Sequence, residues 1–277
     1  MKLSKRIIAL TAAALAVCMM LASCSSQREE TGVAYEKNMK ISTAADLEGK
    51  AVAVQLRSGA DEYVVTNHLT AYPKRYSDLS KAVQDLVDKK VAAVVTDANY
   101  AAQLTDGVEG VKIVKKSIGS VDYRFLFNQS DAKLAEKCNA QIAALKESED
   151  YQSMITAQAV KGTDYAVQKD PERELKKTFT FVTEPRFKPF TYEADGAVKG
   201  LFEAIADGVA YGCGGVLEVK TVEPVSDIDN AADTVKGNPN FFSVVTYEAA
   251  EDDEEFVTTD PFYTSELVMI IRAEEKK

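Results

Sequence analysis

The sequence predicts an α/β fold, and two stretches of the chain carry the pattern. In the first, a buried-strand pattern at residues 51–56 is followed by helical spacing at 79–87 and an aliphatic strand at 91–97. In the second, residues 178–183 alternate as a strand and residues 200–211 have helical spacing. This strand, helix and strand rhythm predicts a parallel sheet with right-handed crossovers. The chain is long enough for two lobes or for one large domain.

The chain begins with a pattern typical of a secretory leader. Basic residues precede an apolar stretch at 7–21, which is too short for a comfortable membrane span of about 20 residues. Residues 21–24, Leu-Ala-Ser-Cys, resemble the lipobox of bacterial lipoproteins. We therefore expect residues 1–23 to be a lipoprotein signal peptide and Cys24 to carry the lipid. Two or more acyl chains hold a protein stably on a membrane, so the mature protein would stay attached there. An ordinary secretion signal or a short anchor is the alternative.

The rest of the chain is acidic and polar enough for a protein body outside the membrane. Removing residues 1–23 takes away three basic residues and no acids, so the formal net charge changes from -10 to -13. Such a charge argues against nucleic acid as a partner. Residues 24–40 are polar and lack periodic apolar positions, which is typical of a flexible tether.

Cysteine and histidine usage indicates no disulfide framework and no metal site. Cys138 and Cys213 are the cysteines beyond the leader and Cys24, and we expect two separate, partly buried thiols. A disulfide between them is the alternative. His68 is the only histidine, and its apolar neighbours favour packing or surface exposure over catalysis. No metal-ligand spacing occurs, and we expect no cofactor.

Motifs in the first half carry a family resemblance. Residues 47–59 contain a leucine, a glycine-lysine turn, a strand and a small-residue loop, and residues 82–97 contain a helix, an aliphatic strand and a terminal aspartate. Both motifs resemble the second lobe of the family 3 extracellular solute-binding proteins, which serve polar amino-acid importers of the ABC class. Residues 123–127, followed by the stretch 130–151, are similar to the family's return into its first lobe.

The second half resembles the beginning of the same family. Residues 187–192, Phe-Lys-Pro-Phe-Thr-Tyr, are similar to its aromatic cleft signature, and residues 260–263 are similar to the segment before its hinge strand. The resemblance implies a two-lobed periplasmic-binding-protein type 2 fold with circularly permuted lobe order. A second-lobe-like α/β domain would span 41–122, and a first-lobe-like α/β domain would span 123–277 with a permutation linker at about 156–177.

The rotated order changes the expected hinge. In the family two strands cross between the lobes, which open and close by bending about them. Here we predict a single covalent crossing near Tyr123. Residues 266–272 are predicted to pack across the hinge through hydrogen bonds rather than through the chain.

The resemblance also implies a ligand site between the lobes. In the family, an acid at the end of a second-lobe strand pairs with the ligand ammonium, and this corresponds to Asp97. The alternative is that Asp97 caps the next helix at Ala98. Ser58 and Gly59 would offer backbone amides to the ligand carboxylate at a helix start, unless Ser58 only caps that helix.

Aromatic residues of the cleft signature complete the expected site. Phe187 would stack on the ligand, because an aromatic face supplies packing area and attracts a cation above it. Phe190 is expected to be core beneath it, and Tyr192 could serve either role. All three are candidate ligand-binding residues.

The sequence departs from the family at the arginine that binds the ligand carboxylate. Its place falls near Asp252 in an acidic run, and no basic residue lies between Lys236 and Arg272. Arg57 stands where the family has a glycine beside the amide loop, and we expect its guanidinium to substitute. An exposed arginine without a role is the alternative.

Together these motifs imply a lipid-anchored, extracytoplasmic substrate-binding protein. It would capture a small-molecule ligand, an amino acid or related small amine, for an ABC permease, and its lipid would hold it to the membrane. A transport-inactive sensing or scaffold lipoprotein of the same fold is the alternative. Some relatives of the fold are enzymes such as dehydratases, but without a cleft histidine or an evident acid and base pair we expect no enzyme.

Overall fold

A nine-stranded mixed sheet forms the centre of the protein, which is represented by a computed structural model. The structure describes residues 40–68, 70–223, 230–250 and 252–273. The predicted signal peptide, the lipidation site Cys24 and all of the tether except Lys40 lie outside the described residues. In the described ranges, no helix combines the length and the apolar character needed to cross a bilayer.

Strands and helices alternate through the first half of the chain, as the sequence predicts. The strands are β1 (Ala51–Gln55), β2 (Tyr72–Tyr76), β3 (Ala93–Asp97), β4 (Val111–Asn128), β5 (Lys177–Thr183), β6 (Arg186–Phe187), β7 (Thr191–Ala194), β8 (Ala197–Lys199), β9 (Gly215–Thr221), β10 (Phe241–Val245), β11 (Phe256–Thr258) and β12 (Tyr263–Arg272). The helices are α1 (Gly59–Asn67), α2 (Leu79–Val87), α3 (Ala98–Thr105), α4 (Ala132–Lys146), α5 (Glu149–Met154), α6 (Leu201–Gly212) and α7 (Asn230–Val235). A π-helical turn, Ile155–Val160, follows α5 directly.

The sheet has two halves with the same strand order, and each half belongs to one lobe. Lobe A contains β2, β1, β3, β12 and the start of β4, in that order, with helices α1 to α3. Lobe B contains β9, β5, β10, the end of β4, and β11, with helices α4 to α7. In each half three parallel strands are followed by an antiparallel strand that arrives from the other lobe. This topology confirms the predicted two-lobed α/β fold.

The chain crosses between the lobes twice, so the prediction of a single covalent crossing near Tyr123 is wrong. β4 carries the chain from lobe A to lobe B, and β12 returns it. The two strands pair antiparallel through the hinge, with Tyr263 opposite Tyr123 and Leu267 opposite Gly119. Two paired strands are therefore the only covalent connections between the lobes among the described residues.

The end of β12 is core of lobe A. Leu267, Met269 and Ile271 pack on one face of that lobe's sheet, while Val268 and Ile270 pack on the other. A strand that is apolar on both faces is stable only where both faces are covered. The predicted domain 123–277 therefore ends in residues that belong to the opposite lobe.

The core of lobe B is aromatic and extends to the hinge. Phe125 and Phe262 stack at 4.1 Å between ring centroids, and Phe242 packs edge-on against Phe125 at 5.0 Å. Phe262, at the start of the second crossing, is fully buried in this cluster. The return strand is thus anchored in both cores.

The predicted linker, 156–177, is partly structured. It starts within the π-helical turn, where the side-chain amide of Gln103 in α3 donates hydrogen bonds to the backbone carbonyls of Gln158 (3.0 Å) and Ala159. Farther along, the Lys169 ammonium lies 2.6 Å from the Asp207 carboxylate of α6. The segment therefore touches helices of both lobes.

The two cysteines, predicted to be separate thiols, are in contact. Cys138 on α4 is buried and Cys213 follows the last residue of α6, with 3.7 Å between their sulfur atoms. The sequence places them 75 residues apart, and only the packing of α4 on α6 brings them together.

Candidate functional site

A cavity of about 220 Å³ lies between the lobes, where parallel strands of both lobes end. Gln55 ends β1, Thr183 ends β5 and Val245 ends β10, and all three line the cavity. Ligands of open α/β sheets bind in the crevice outside the carboxyl ends of the strands. The position of this cavity is therefore the one that the fold favours for a small molecule.

Lobe A contributes the loop that leads into α1. Arg57, Ser58 and Gly59, three of the candidate ligand-binding residues, all line the cavity. The Ser58 hydroxyl accepts a hydrogen bond from the Asp61 amide (3.2 Å) and donates one to the Gln55 carbonyl (2.8 Å). The Ser58 amide also donates to that carbonyl (3.2 Å), so Ser58 acts here as a helix cap rather than as an amide donor to the cavity.

Gly59 allows the start of α1 to approach the hinge closely. A Cβ atom at this position would lie 2.5 Å from Cγ1 of Val121 and 3.0 Å from the Tyr123 hydroxyl oxygen, both on β4. Any other residue would push the helix away from the hinge strand. Glycine thus lets the start of α1, which forms part of the cavity wall, lie directly against the hinge strand β4.

Arg57 reaches across the cavity to lobe B. Its backbone has a φ of 59°, in the left-handed region that costs a non-glycine residue about 1 kcal/mol or more. One guanidinium nitrogen lies 3.2 Å from Oε1 of Glu184, and the side chain is 26% exposed. Arg57 is therefore not an exposed arginine without contacts.

Glu184 is a buried acid that the sequence analysis missed. It directly follows β5, is 6% exposed, and has a second guanidinium, that of Arg186, 2.7 Å from Oε2. Neither contact has hydrogen-bond geometry, and both carboxylate oxygens are without a hydrogen-bond partner among the described residues. The Glu184 charge is paired electrostatically, while its hydrogen-bonding capacity is unused.

Aromatic rings form the opposite side of the cavity. The candidate residues Phe187 and Phe190 line it, together with Tyr123 and Phe202. Phe190 is buried and stacks on Phe202 at 4.7 Å, so it is core beneath the cavity, as expected. Phe187 is half-buried, with the Arg186 guanidinium 5.4 Å from its ring centre.

Tyr192 does not line the cavity, although it was predicted as a candidate ligand-binding residue. It pairs with Arg186 across the short hairpin of β6 and β7, and the Lys188 ammonium lies 5.2 Å from its ring centre. Burial raises the pKa of the Tyr192 phenol above its ordinary value. The ring thus packs on the hairpin instead of facing the space between the lobes.

Asp97, predicted to pair with a ligand ammonium, lies outside the cavity lining. Its Oδ1 accepts the amides of Asn99 (2.8 Å) and Tyr100 (3.0 Å) at the start of α3. Its Oδ2 accepts the hydroxyls of Tyr263 (2.9 Å) and Ser265 (2.6 Å) on β12. Burial raises the pKa of Asp97, although these donors act against the rise. The helix-cap alternative describes this residue, which also holds the return strand.

Two further hydrogen bonds join the lobes beside the Arg57 and Glu184 contact. The Gln55 side-chain amide donates to the Arg186 carbonyl (2.9 Å), and the Thr246 hydroxyl donates to the Glu62 carboxylate (2.5 Å). The described part of the acidic run, 252–255, does not contribute to the cavity lining. The lobes are therefore held together here by one ion pair and two hydrogen bonds.

The cavity offers groups suited to binding. Its lining combines opposite charges with aromatic faces, and it includes no histidine or cysteine of the described residues. In the same part of the chain, no group of three or more His, Cys, Asp or Glu side chains is arranged to hold a metal ion. The residues missed from the sequence, Glu184 and Gln55, share one signal, which is their place at the carboxyl end of a parallel strand.

No family model and no curated protein matches this chain. Among solved structures, it is similar to a phosphate-binding protein of a phosphate ABC transporter from Streptococcus pneumoniae, with 12% identity, a TM-score of 0.45, and coverage of 82% of this chain and 90% of that one. It is similar to a probable amino-acid ABC transporter extracellular-binding protein from Bacillus subtilis, with 9% identity, a TM-score of 0.40, and coverage of 82% and 85%. It is also similar to CbnR, a LysR family transcriptional regulator, with 13% identity, a TM-score of 0.42, and coverage of 82% of this chain and 64% of CbnR. The chain thus spans less than two thirds of the length of CbnR.

Proposed function

We propose that this protein is a substrate-binding protein that closes its two lobes on a small amino acid. The observation that carries the proposal is the pair of opposite charges, Arg57 and Glu184, facing each other across the cavity from different lobes. In this arrangement the ligand carboxylate binds Arg57 and the ligand ammonium binds Glu184. A zwitterion inserted between them replaces one ion pair with two.

The charges of the cavity favour an amino acid over a simple amine. Arg57 and Glu184 are the charged residues of the cavity lining, so the lining is neutral overall. A ligand with only an ammonium would compete with Arg57 for Glu184 and offer the guanidinium nothing in return, whereas a zwitterion supplies a partner to each. Each charge-assisted hydrogen bond contributes roughly 1.5–3 kcal/mol, so both ligand ends are needed for tight binding.

The unused hydrogen-bonding capacity of Glu184 supports its role as the ammonium partner. A buried carboxylate whose oxygens accept no hydrogen bond keeps part of its desolvation cost uncompensated. An ammonium has three donors on a compact centre and can satisfy these oxygens. Ligand binding would therefore complete an environment that the protein leaves incomplete.

The size of the cavity favours a small ligand. Pockets for drug-sized molecules measure roughly 300–1,000 Å³, and this cavity measures about 220 Å³. Phe187 supplies an apolar face next to the charged groups. An amino acid with a short side chain has the matching size and both charges.

We extend the proposal to the cellular setting on the sequence motifs. The leader and its Leu-Ala-Ser-Cys segment support lipidation at Cys24, and the family resemblance supports delivery of the ligand to an ABC permease. The protein would then work outside the cytoplasmic membrane and be held there by its lipid. We also propose that its lobe order is circularly permuted relative to that family.

A ligand-sensing or scaffold lipoprotein is the second candidate, and one observation favours it. Arg57, Glu184, Gln55 and Glu62 are already engaged with partners across the cleft, so the lobes can close on each other without a ligand. A protein of this kind would present one stable shape to a membrane partner. The two candidates differ in whether a small molecule changes the stability of the chain.

A thermal-unfolding screen separates the two candidates. The full chain, purified in detergent, is heated with each common amino acid, with polyamines and with inorganic phosphate. A ligand at about a hundred times its Kd stabilises the folded state by roughly 2.7 kcal/mol, which raises the melting temperature by several degrees. We expect such a shift with at least one amino acid. No shift with any amino acid, or a shift with phosphate or polyamines alone, would contradict the proposal.

A further inference from the structure

The contact between α4 and α6 brings two thiols together in lobe B. Cys138 is 5% exposed on α4, Cys213 is half-buried at the end of α6, and their sulfur atoms are 3.7 Å apart. The contact is away from the cavity, whose lining includes neither residue. Nothing in the proposed ligand binding uses these thiols.

Close packing of the two helices holds the thiols in place. A Cβ atom on Gly212, the residue before Cys213, would lie 2.2 Å from the Gln141 side-chain oxygen on α4. Behind them, a Cβ atom on Gly215 would lie 2.2 Å from the ring of Phe179. Gly212 thus leaves room for the Gln141 side chain of α4 beside the end of α6, and Gly215 leaves room for a ring of β5 just after it.

We propose that Cys138 and Cys213 are a disulfide-forming pair, joined by thiol–disulfide exchange with a small-molecule or protein disulfide. The extracytoplasmic setting in which such oxidants persist rests on the proposed function. The capacity of the pair to close does not, since it depends only on the helix packing.

The surroundings of the two thiols assign them different roles. The hydrogen bond with the Cys138 thiol lowers the pKa of Cys213 against the opposing effect of partial burial, and nearby basic side chains also lower it. The same hydrogen bond and burial raise the pKa of Cys138. The half-exposed Cys213 is thus the sulfur that ionises and meets an oxidant, because the thiolate is the nucleophile. The nearby basic side chains are Lys137, Lys177 and Arg173.

The exchange proceeds in two balanced steps. The Cys213 thiolate attacks one sulfur of the oxidant disulfide, forms a mixed disulfide and releases one thiolate. Cys138 then loses its proton and attacks the Cys213 sulfur of the mixed disulfide, which releases the second thiolate. The protein loses two electrons and two protons, and the oxidant disulfide is reduced to two thiols.

The bond would tie together the part of lobe B that flanks the linker. It would close a loop between residues 75 apart, and this loop contains the segment 161–176 that leads from the π-helical turn into β5. Closing a long loop removes conformational freedom from the unfolded chain. We expect the oxidised protein to be more stable and its ligand affinity to be unchanged.

The full chain with Cys18→Ser and Cys24→Ser, in which only this thiol pair remains, tests the proposal. Incubated folded with oxidised glutathione, it should lose the mass of two hydrogens and give one disulfide-linked peptide pair containing both residues. Its melting temperature should rise by roughly 5–15 °C, and dithiothreitol should reverse both changes. If folded protein retains both thiols while the unfolded chain oxidises, the proposal is overturned.

Single substitutions in this background test the two roles. With Cys138→Ser, Cys213 should accumulate as a mixed disulfide carrying one glutathionyl group. With Cys213→Ser, Cys138 should react at least tenfold more slowly, because it is buried and protonated. Equal reactivity of the two single variants would contradict the assignment, and mass measurement on the double-serine background remains decisive if either variant fails to fold. Because the readout is mass and not ligand binding, failure of this proposal is distinct from failure of the proposed function.

Discussion

Asp97 in lobe A and Glu184 in lobe B both stand at the carboxyl end of a parallel strand, yet their surroundings differ. Asp97 is 3% exposed and accepts four hydrogen bonds, two from α3 and two from the return strand. Glu184 is 6% exposed and has two guanidiniums within 3.2 Å, with no hydrogen bond to either oxygen among the described residues. The first carboxylate is satisfied by the fold, whereas the second is only neutralised.

This difference separates a structural acid from a candidate ligand-binding acid. Removing a fully bonded carboxylate leaves its donors unsatisfied, so the cost falls on folding. Removing a carboxylate that lines a cavity and pairs only by charge leaves two partly exposed arginines, 26% and 22% exposed, so folding changes little. The two acids should therefore respond differently to the same substitution, one in stability and one in affinity.

Asp97→Asn should have the largest effect on stability. The amide keeps one acceptor oxygen, and its NH₂ group replaces an acceptor for the Tyr263 and Ser265 hydroxyls. We expect the free energy of unfolding to fall by about 2–4 kcal/mol, measured by urea denaturation. Asp106→Asn, at an exposed aspartate, is the matched control and should change it by less than about 0.5 kcal/mol. A stability loss no larger than that of the control would contradict a structural role for Asp97.

Glu184→Gln should have the largest effect on binding. We expect the Kd of an amino-acid ligand to rise about tenfold to a hundredfold, because one charge-assisted hydrogen bond is lost. The free energy of unfolding should change by less than about 1 kcal/mol, since the ion pairs of Glu184 are with partly exposed arginines. Glu193→Gln makes the same charge change on an exposed acid of the neighbouring hairpin, and calorimetric titration should find its Kd unaltered.

Replacing Arg57 with glycine and with alanine separates the guanidinium from the backbone strain. Both variants lose the cation that faces Glu184, so both should weaken amino-acid binding by about tenfold or more. Only glycine accepts a φ of 59° without cost, so Arg57→Gly should be more stable than Arg57→Ala by about 1 kcal/mol. Equal stability with unequal affinity would contradict this separation.

A third acid, Glu203 on α6, extends the comparison because it belongs neither to the Asp97 hydrogen bonds nor to the cavity lining. Burial, followed by the nearby Asp207 carboxylate, raises the pKa of Glu203 to about 7. The folded protein therefore holds a proton that the unfolded chain releases above a pKa of about 4.3, and stability falls as pH rises between these two values. Glu203→Gln should be more stable than the natural protein at pH 8, by about 1 kcal/mol or less once solvent screening is included. This advantage should vanish below pH 4, and thermal unfolding across the pH range measures it.

Local patterns were sufficient to predict the strands β1, β3, β5 and β12 and the position of one loop that lines the cavity. The apolar runs of β1 and β3 and the alternation of β5 indicate strands, because a short apolar segment bounded by turns is typical of a buried strand and alternation is typical of a half-buried one. Arg57, Ser58 and Gly59 follow β1 directly, so the position of that strand also located them at the cleft.

The features that local patterns do not reveal depend on contacts distant in the sequence. The apolar pattern of β12 indicates a strand covered on both faces, but it does not tell which lobe provides the cover. Asp97 and Glu184 have equivalent local positions, and Asp97 is distinguished by hydroxyls 166 and 168 residues away. The sulfur contact likewise arises from helix packing across 75 residues.

The central claim is that Glu184, and not Asp97, holds the ligand ammonium. The most direct measurement is a calorimetric titration of the natural protein and Glu184→Gln with the best-stabilising amino acid and with its N-acetyl derivative, which lacks the ammonium. The account predicts that acetylation weakens binding at least tenfold in the natural protein and less than about twofold in the variant. Both changes remove the same interaction, the one between the ligand ammonium and the Glu184 carboxylate, so it can be lost only once. A full acetylation penalty retained in Glu184→Gln would contradict it.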